Sequence, residues 1–131
     1  MKKEKHAQFE ISQGAIIENK DGTLLLLKLR DGFWALPGGH LHKNEAWLDG
    51  LKREIYEETG LDDLSIICTL GVCTFKNSYG VRFHCTTPQK EVTLSNEHDN
   101  FVWVTSKKDV DKYQFHHPAL KEFVVEVLAK R

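Results

Sequence analysis

Arg53, Glu54, Glu57 and Glu58 crowd into one six-residue stretch, and their spacing is the most chemical feature of the chain. On a helix the carboxylates at i, i+3 and i+4 are surface neighbours that repel one another by a few tenths of a kcal/mol per pair. They also fall near the C-terminal end of that helix, where the macrodipole disfavours negative charge. A solvated acidic face, partly compensated by Lys52 and Arg53, is the ordinary reading of such a stretch. On a wheel of ~100° per residue, however, Leu48, Leu51, Ile55 and Trp47 form the face that must bury, and Glu58 overlaps its edge. A partly buried trio of like charges raises its own pKa values or destabilises the fold unless a cation neutralises it. Hard oxygen ligands suit Mg²⁺, with Mn²⁺ as a possible substitute, and Mg²⁺ takes one or two carboxylates together with substrate phosphates. The local chemistry is that of a divalent-ion site.

The segment carrying these groups is expected to be helical over 45–59. Asn44 is the candidate N-cap and Gly60 the candidate residue just past the C-terminus. Around it the chain reads as strands. Residues 14–18 and 23–29 are apolar runs joined by Asn19-Lys20-Asp21-Gly22, a hairpin signal. Residues 64–75 are strand-like. Val81, Phe83 and Cys85 alternate with Arg82, His84 and Thr86 in the period of a half-buried strand, and Phe101–Val104 is a further short one. Near the end, Leu120, Phe123, Val124, Val127 and Leu128 make one apolar stripe, with Pro118 suited to a first helical turn. Strands, helix, strands, helix is an α+β order, with helices packed on a mixed sheet.

Composition sets the frame. A chain of 131 residues with 40% hydrophobic and 28% charged residues is expected to form a single domain over 1–131 rather than a disordered tail. A net charge of −1 disfavours a nucleic-acid partner, which asks for a basic excess. No apolar run approaches the ~20 residues of a membrane span. The start, MKKEKHAQFE, has basic residues but no apolar run behind them, so the expected location is the cytoplasm. Cys68, Cys73 and Cys85 are odd in number and form no CxxC pair, which disfavours a disulfide framework or a zinc site, and Cys73 and Cys85 read as small strand hydrophobes.

From Gly39 the chain reads GHLHKNEAWLDGLKREIYEETGL. This resembles the Nudix box, GX5EX7REUXEEXGU with U a bulky aliphatic, at all nine specified positions from Gly39 to Leu61. Trp34-Ala35-Leu36-Pro37-Gly38 looks like that family's usual approach to the box, and Glu97-His98 followed by Trp103-Val104 its downstream part. The resemblance covers roughly residues 12–128, with its specificity in 34–61. It implies an α/β/α sandwich with the box helix and a C-terminal helix packed on a mixed sheet. It also implies a metal-dependent pyrophosphohydrolase acting on a nucleoside diphosphate linked to another moiety. A nucleoside triphosphate or a dinucleoside polyphosphate is the expected substrate. Carried over residue by residue, Glu57 and Glu58 become metal ligands, Glu54 a ligand or the base, the Gly39 carbonyl a further ligand, and Arg53 the group that orients Glu54. Glu45 would steady the loop–helix–loop unit.

Weaker candidates surround this set. Glu97 is a further metal ligand by the resemblance, or else a plain loop carboxylate, with Asp99 next in line. Tyr79, 18 residues past Leu61, could stack on a base or simply occupy a turn. Trp34 and Phe33 could wall a base or fill the core, and His40 and His42 could touch phosphate or stand in solvent. The arrays typical of NADH- and ADP-ribose-cleaving members are absent. The competing class of function is a module that keeps the fold to sense a nucleotide without cleaving it, which has no chemical need for Arg53, Glu54, Glu57 and Glu58 together. Small-molecule nucleotide substrates are the expected partners, and many family members are dimers, although no segment marks a homodimer interface.

Overall fold

The computed structural model describes residues 5–130. The opening MKKE, the first four residues of the basic start discussed above, lies outside them. Seven strands form one mixed sheet: β1 (Glu10–Glu18), β2 (Leu24–Leu29), β3 (Trp34–Ala35), β4 (Gly38–His40), β5 (Ser65–Phe75), β6 (Ser78–Thr86) and β7 (His98–Val104). Three helices accompany them: α1 (Trp47–Thr59), α2 (Lys107–Val110) and α3 (Pro118–Ala129). The sheet runs β3-β2-β1-β6-β5, with β4 added to β1 and β7 to β2. The central pairing, β1 with β6, is parallel and unbroken from Glu10↔Ser78 to Glu18↔Thr86.

Alternation along the central strands sends side chains to two cores. Ile16, Leu24 and Leu26 pack with Leu120, Val124 and Val127 of α3. Ala15, Ile17, Leu25 and Leu27 pack with Leu51 and Ile55 of α1. Burying such branched residues stabilises the fold by about 1.5–3 kcal/mol each. The sheet is therefore covered on both faces, α1 on one and α3 on the other, which is the sandwich expected.

Local chemistry explains the element ends. In the β1–β2 turn the Asn19 side chain accepts the N–H groups of Asp21 and Thr23. Gly60 closes α1 in the left-handed region (φ 76°), its N–H donating to the Tyr56 carbonyl at 2.8 Å. At the other end of α1 the expectation fails. The helix begins at Trp47, not residue 45, and the N-cap is Ala46, without a side-chain cap. Asn44 takes a positive φ of 65° in the loop. The reason lies with Glu45, whose carboxylate turns back to accept the His42 N–H at 2.9 Å. Trp47, expected to bury, is 48% exposed and lies stacked on Phe83, with ring centroids 5.2 Å apart. Pro118 does open α3, and His117 caps it, Nδ1 accepting from the Ala119 N–H at 3.2 Å.

Candidate active site

The site is built where β4, paired to β1, meets the second half of α1. β4 pairs antiparallel with β1 through Gly14↔Gly38 and Gln13↔Gly39, which pins the glycine pair against the sheet. Space is scarce there. A Cβ on Gly38 would fall 2.1 Å from the Gln13 carbonyl oxygen, and one on Gly39 would fall 2.3 Å from Glu54 Oε2. Only glycine lets the backbone of this loop come so close to the carboxylates.

Arg53 organises the acidic helix. Its Nε and Nη2 grip both oxygens of Glu45, at 2.7 and 3.0 Å. Its Nη1 donates to Glu54 at 2.9 Å and to Glu57 at 3.0 Å, and Nη2 also reaches the His40 carbonyl at 3.3 Å. Charge-assisted, forked bonds of this kind orient as well as attract. The guanidinium holds the Glu45 carboxyl at about 2, well below the usual carboxylate range, with the His42 N–H adding to the effect. In return the carboxylates push the Arg53 guanidinium further up. Arg53 thus lies between Glu45 and Glu54, hydrogen-bonded to both.

Glu58 differs from its neighbours. It is 6% exposed, against side-chain exposures of 16% for Glu54 and 56% for Glu57. Its Oε1 accepts the Gly38 N–H at 2.8 Å. Burial pushes its pKa up to about 8, and the negative charges of Glu97, Glu54 and Glu57 push the same way, against the Gly38 hydrogen bond. The carboxylate that the wheel placed at the rim of the apolar stripe is thus a buried acid facing three others.

Four carboxylates and a peptide carbonyl are a hard, all-oxygen donor set, and among the described residues no cationic side chain pairs with the buried Glu58. On both counts the residues suit a divalent ion. Among the described residues, no three Asp, Glu, His or Cys side chains converge tightly on one point. Glu54 and Glu57 are turned instead to Arg53, so gathering the oxygens on one ion asks for side-chain rotation at these two positions. The cysteines are free, with Cys85 buried and its thiol pushed up to about 12 by burial.

The weaker candidates scatter. Glu97 is exposed in the loop before β7, near enough to Glu58 for its charge to be felt. His40 is exposed on β4, 3.8 Å from Glu10. Trp34 packs edge-on against Tyr113 at 4.7 Å, on the α3 core. Tyr79 sits edge-on to Phe9 at 5.8 Å. One residue escaped the sequence reading altogether. Arg82, by alternation a polar position on a half-buried strand, lines a cavity with Gly38 and Gly39 at its edge.

A mixed sheet between helices, with a glycine loop folded onto an arginine-braced acidic helix, defines a class of fold and site that can be compared directly. The NUDIX domain family model matches residues 8–124. The nucleoside triphosphatase NudI of Escherichia fergusonii is 30% identical, the alignment covering 77% of this chain and 84% of that protein. The crystal structure of the MutT protein from Methanosarcina mazei superposes with a TM-score of 0.74 at 26% identity, covering 95% of this chain and 96% of the other. A NUDIX-family hydrolase from Clostridium perfringens shares the fold with a TM-score of 0.79 at 18% identity, covering 94% and 98%. The chain belongs to the Nudix family. It is an enzyme of the pyrophosphohydrolase class.

Proposed function

We propose that the enzyme hydrolyses the pyrophosphate bond of a nucleoside diphosphate linked to another moiety, and that it needs Mg²⁺, or Mn²⁺ in its place, to do so. A nucleoside triphosphate is the favoured substrate, with a dinucleoside polyphosphate next. The observation that carries this reading is Glu58, a buried carboxylate with three further glutamates acting on it. The similarity to nucleoside triphosphatase NudI supports the substrate class.

In this reading Glu54, Glu57, Glu58, Glu97 and the Gly39 carbonyl hold the ion. Bound there, it supplies neutralisation of the phosphate charge and acidification of water. Glu54 accepts the proton from the attacking water, a role suited to a carboxylate fixed by Arg53 and seated against Gly39. Arg53 is a positioning residue, held in place by Glu45. Glu57, braced by the same nitrogen, keeps its carboxylate beside Glu54. Trp34, Tyr79 and His40 are secondary substrate contacts in this proposal, and the cytoplasm is the working compartment.

Incubation with a panel of nucleotides, first with Mg²⁺ and then with EDTA, tests the reading. Turnover that requires the cation and releases a nucleoside monophosphate is expected. Nucleotide binding without any turnover would favour the sensing module instead.

A further inference from the structure

The face of β6 turned toward α3 carries Gly80, Arg82 and His84. Two of these are polar groups that the sandwich covers, and they are treated differently. His84 has a partner, Glu18 of β1, at 2.9 Å. Arg82 has none of that kind. Among the described residues its guanidinium donates only to the Val81 carbonyl, at 3.2 Å, and its buried Nε has no hydrogen-bond partner. Burial pushes its pKa down from the usual arginine range, yet a guanidinium remains a cation at neutral pH. Removing such a charge from water without pairing it costs stability.

The surroundings are arranged to accommodate that cost. A Cβ on Gly80 would stand 2.9 Å from Arg82 Nη1, and a Cβ on Gly14 would stand 3.2 and 3.3 Å from its Cδ and Nε. Two glycines therefore clear a bed for the side chain. Two adjoining cavities of about 130 and 160 Å³ open beside it, sharing Ser12, Arg82, His116 and Leu120. The second runs on past Gln13 to Gly38 and Gly39. No Asp or Glu lines either one. Trp34 holds the far wall in place, its carbonyl accepting the His116 N–H at 2.8 Å.

Register gives the distance. Gly14 is the Cα partner both of Gly38 and of Arg82. The Arg82 Cα thus lies two strand spacings, about 10 Å, from that of the glycine whose N–H holds Glu58, and its side chain reaches back over Gly14 between them. That is the reach of a nucleotide from its phosphates toward its other end.

We propose that Arg82 grips the end of the substrate remote from the scissile pyrophosphate, through a pair of adjacent acceptors: a guanine O6/N7 edge or a further phosphate. Both present two acceptors to the flat fork of a guanidinium. The assignment rests on reading the acidic helix as the pyrophosphate-cleaving site. It makes Arg82 a specificity residue of that reaction, and it accounts for a half-buried cation whose Nε no group among the described residues pairs.

Arg82→Met and Arg82→Lys test it by thermal unfolding, steady-state kinetics and calorimetry with product nucleotides in EDTA. With Arg82→Met, KM should rise about 10–100-fold, the loss of a charge-assisted pair, while kcat falls far less. The thermal midpoint should hold or rise, because an unpaired charge has gone. Arg82→Lys keeps the charge without the fork and should fall between. If a guanine edge is read, GMP binds more tightly than AMP or CMP and loses that advantage in Arg82→Met. If a phosphate is read, adenosine 3′,5′-bisphosphate outbinds AMP and loses that advantage in Arg82→Met. A lower midpoint with KM and all product affinities unmoved would overturn the proposal and make Arg82 a structural prop. Should Arg82-dependent product binding persist in a wild-type protein that cleaves nothing, the hydrolase reading fails while Arg82 remains a nucleotide-gripping residue.

Discussion

Two partly buried arginines behave in opposite ways. Arg53, on α1, spends its fork on Glu45, Glu54, Glu57 and a backbone carbonyl, with every bond between 2.7 and 3.3 Å. Arg82, on β6, has one long bond to a neighbouring carbonyl and an orphaned Nε. The first is satisfied from within, so its work is to position other groups. The second keeps an Nε that nothing among the described residues satisfies, and the structure around it is cleared by glycines rather than filled by acids. An internally balanced charge marks a scaffold; an unbalanced one beside a cavity marks a place for a ligand.

Mutation can break that comparison at several points. The largest effect is expected at the groups Arg53 serves: Glu57→Gln and Glu54→Gln should each lower kcat by about 100-fold or more, read by nucleotide turnover in Mg²⁺. The Glu57→Gln thermal midpoint should stay level or rise, since like-charge repulsion is relieved. Arg53→Met comes next. It should lower kcat about 10–100-fold as a positioning residue and, unlike Arg82→Met, should also lower the thermal midpoint, because Glu45, Glu54 and Glu57 lose their shared partner. If both arginine variants were destabilised alike, the distinction between them would collapse.

A pH effect follows from Glu58. Its pKa is about 8 in the folded protein against an ordinary 4.5, so the folded state holds the proton more tightly. The stability this brings is fully present below 4.5 and is lost as pH rises through about 8. In EDTA the midpoint should therefore fall across that window, and Glu58→Gln should flatten the slope. With Mg²⁺ present the cation replaces the proton and the loss should shrink. The smallest effect belongs to Gly14→Ala. Its Cβ would crowd the Arg82 side chain, so KM should shift a few-fold with kcat nearly unchanged.

How far the sequence revealed all this differs between the same two regions. The acidic helix was legible because its information is local: Glu58 at the edge of the stripe, Gly60 at the stop, and Arg53 one turn before Glu57 all follow from a 3.6-residue period. Its start was misplaced because Glu45 spends its carboxylate on His42 and Arg53, pairings that helix capping rules do not encode. Arg82 was missed for a different reason. Alternation on β6 put it opposite Val81 and Phe83, which reads as a solvent face when only one face of a sheet is assumed buried. The parallel β1–β6 pairing and the packing of α3 join residues far apart in the chain, and no short window contains either.

The central claim is that the carboxylates of α1 and the glycine loop before it hold a divalent ion that hydrolysis requires. Calorimetric titration of Mn²⁺ into the wild-type protein and into Glu57→Gln and Glu58→Gln, run at pH values on both sides of 8, addresses it most directly. The account predicts saturable binding by the wild type that strengthens as pH rises, releases protons, and is weakened at least about tenfold in each variant. Equal binding by all three proteins, or turnover that survives EDTA, would contradict it.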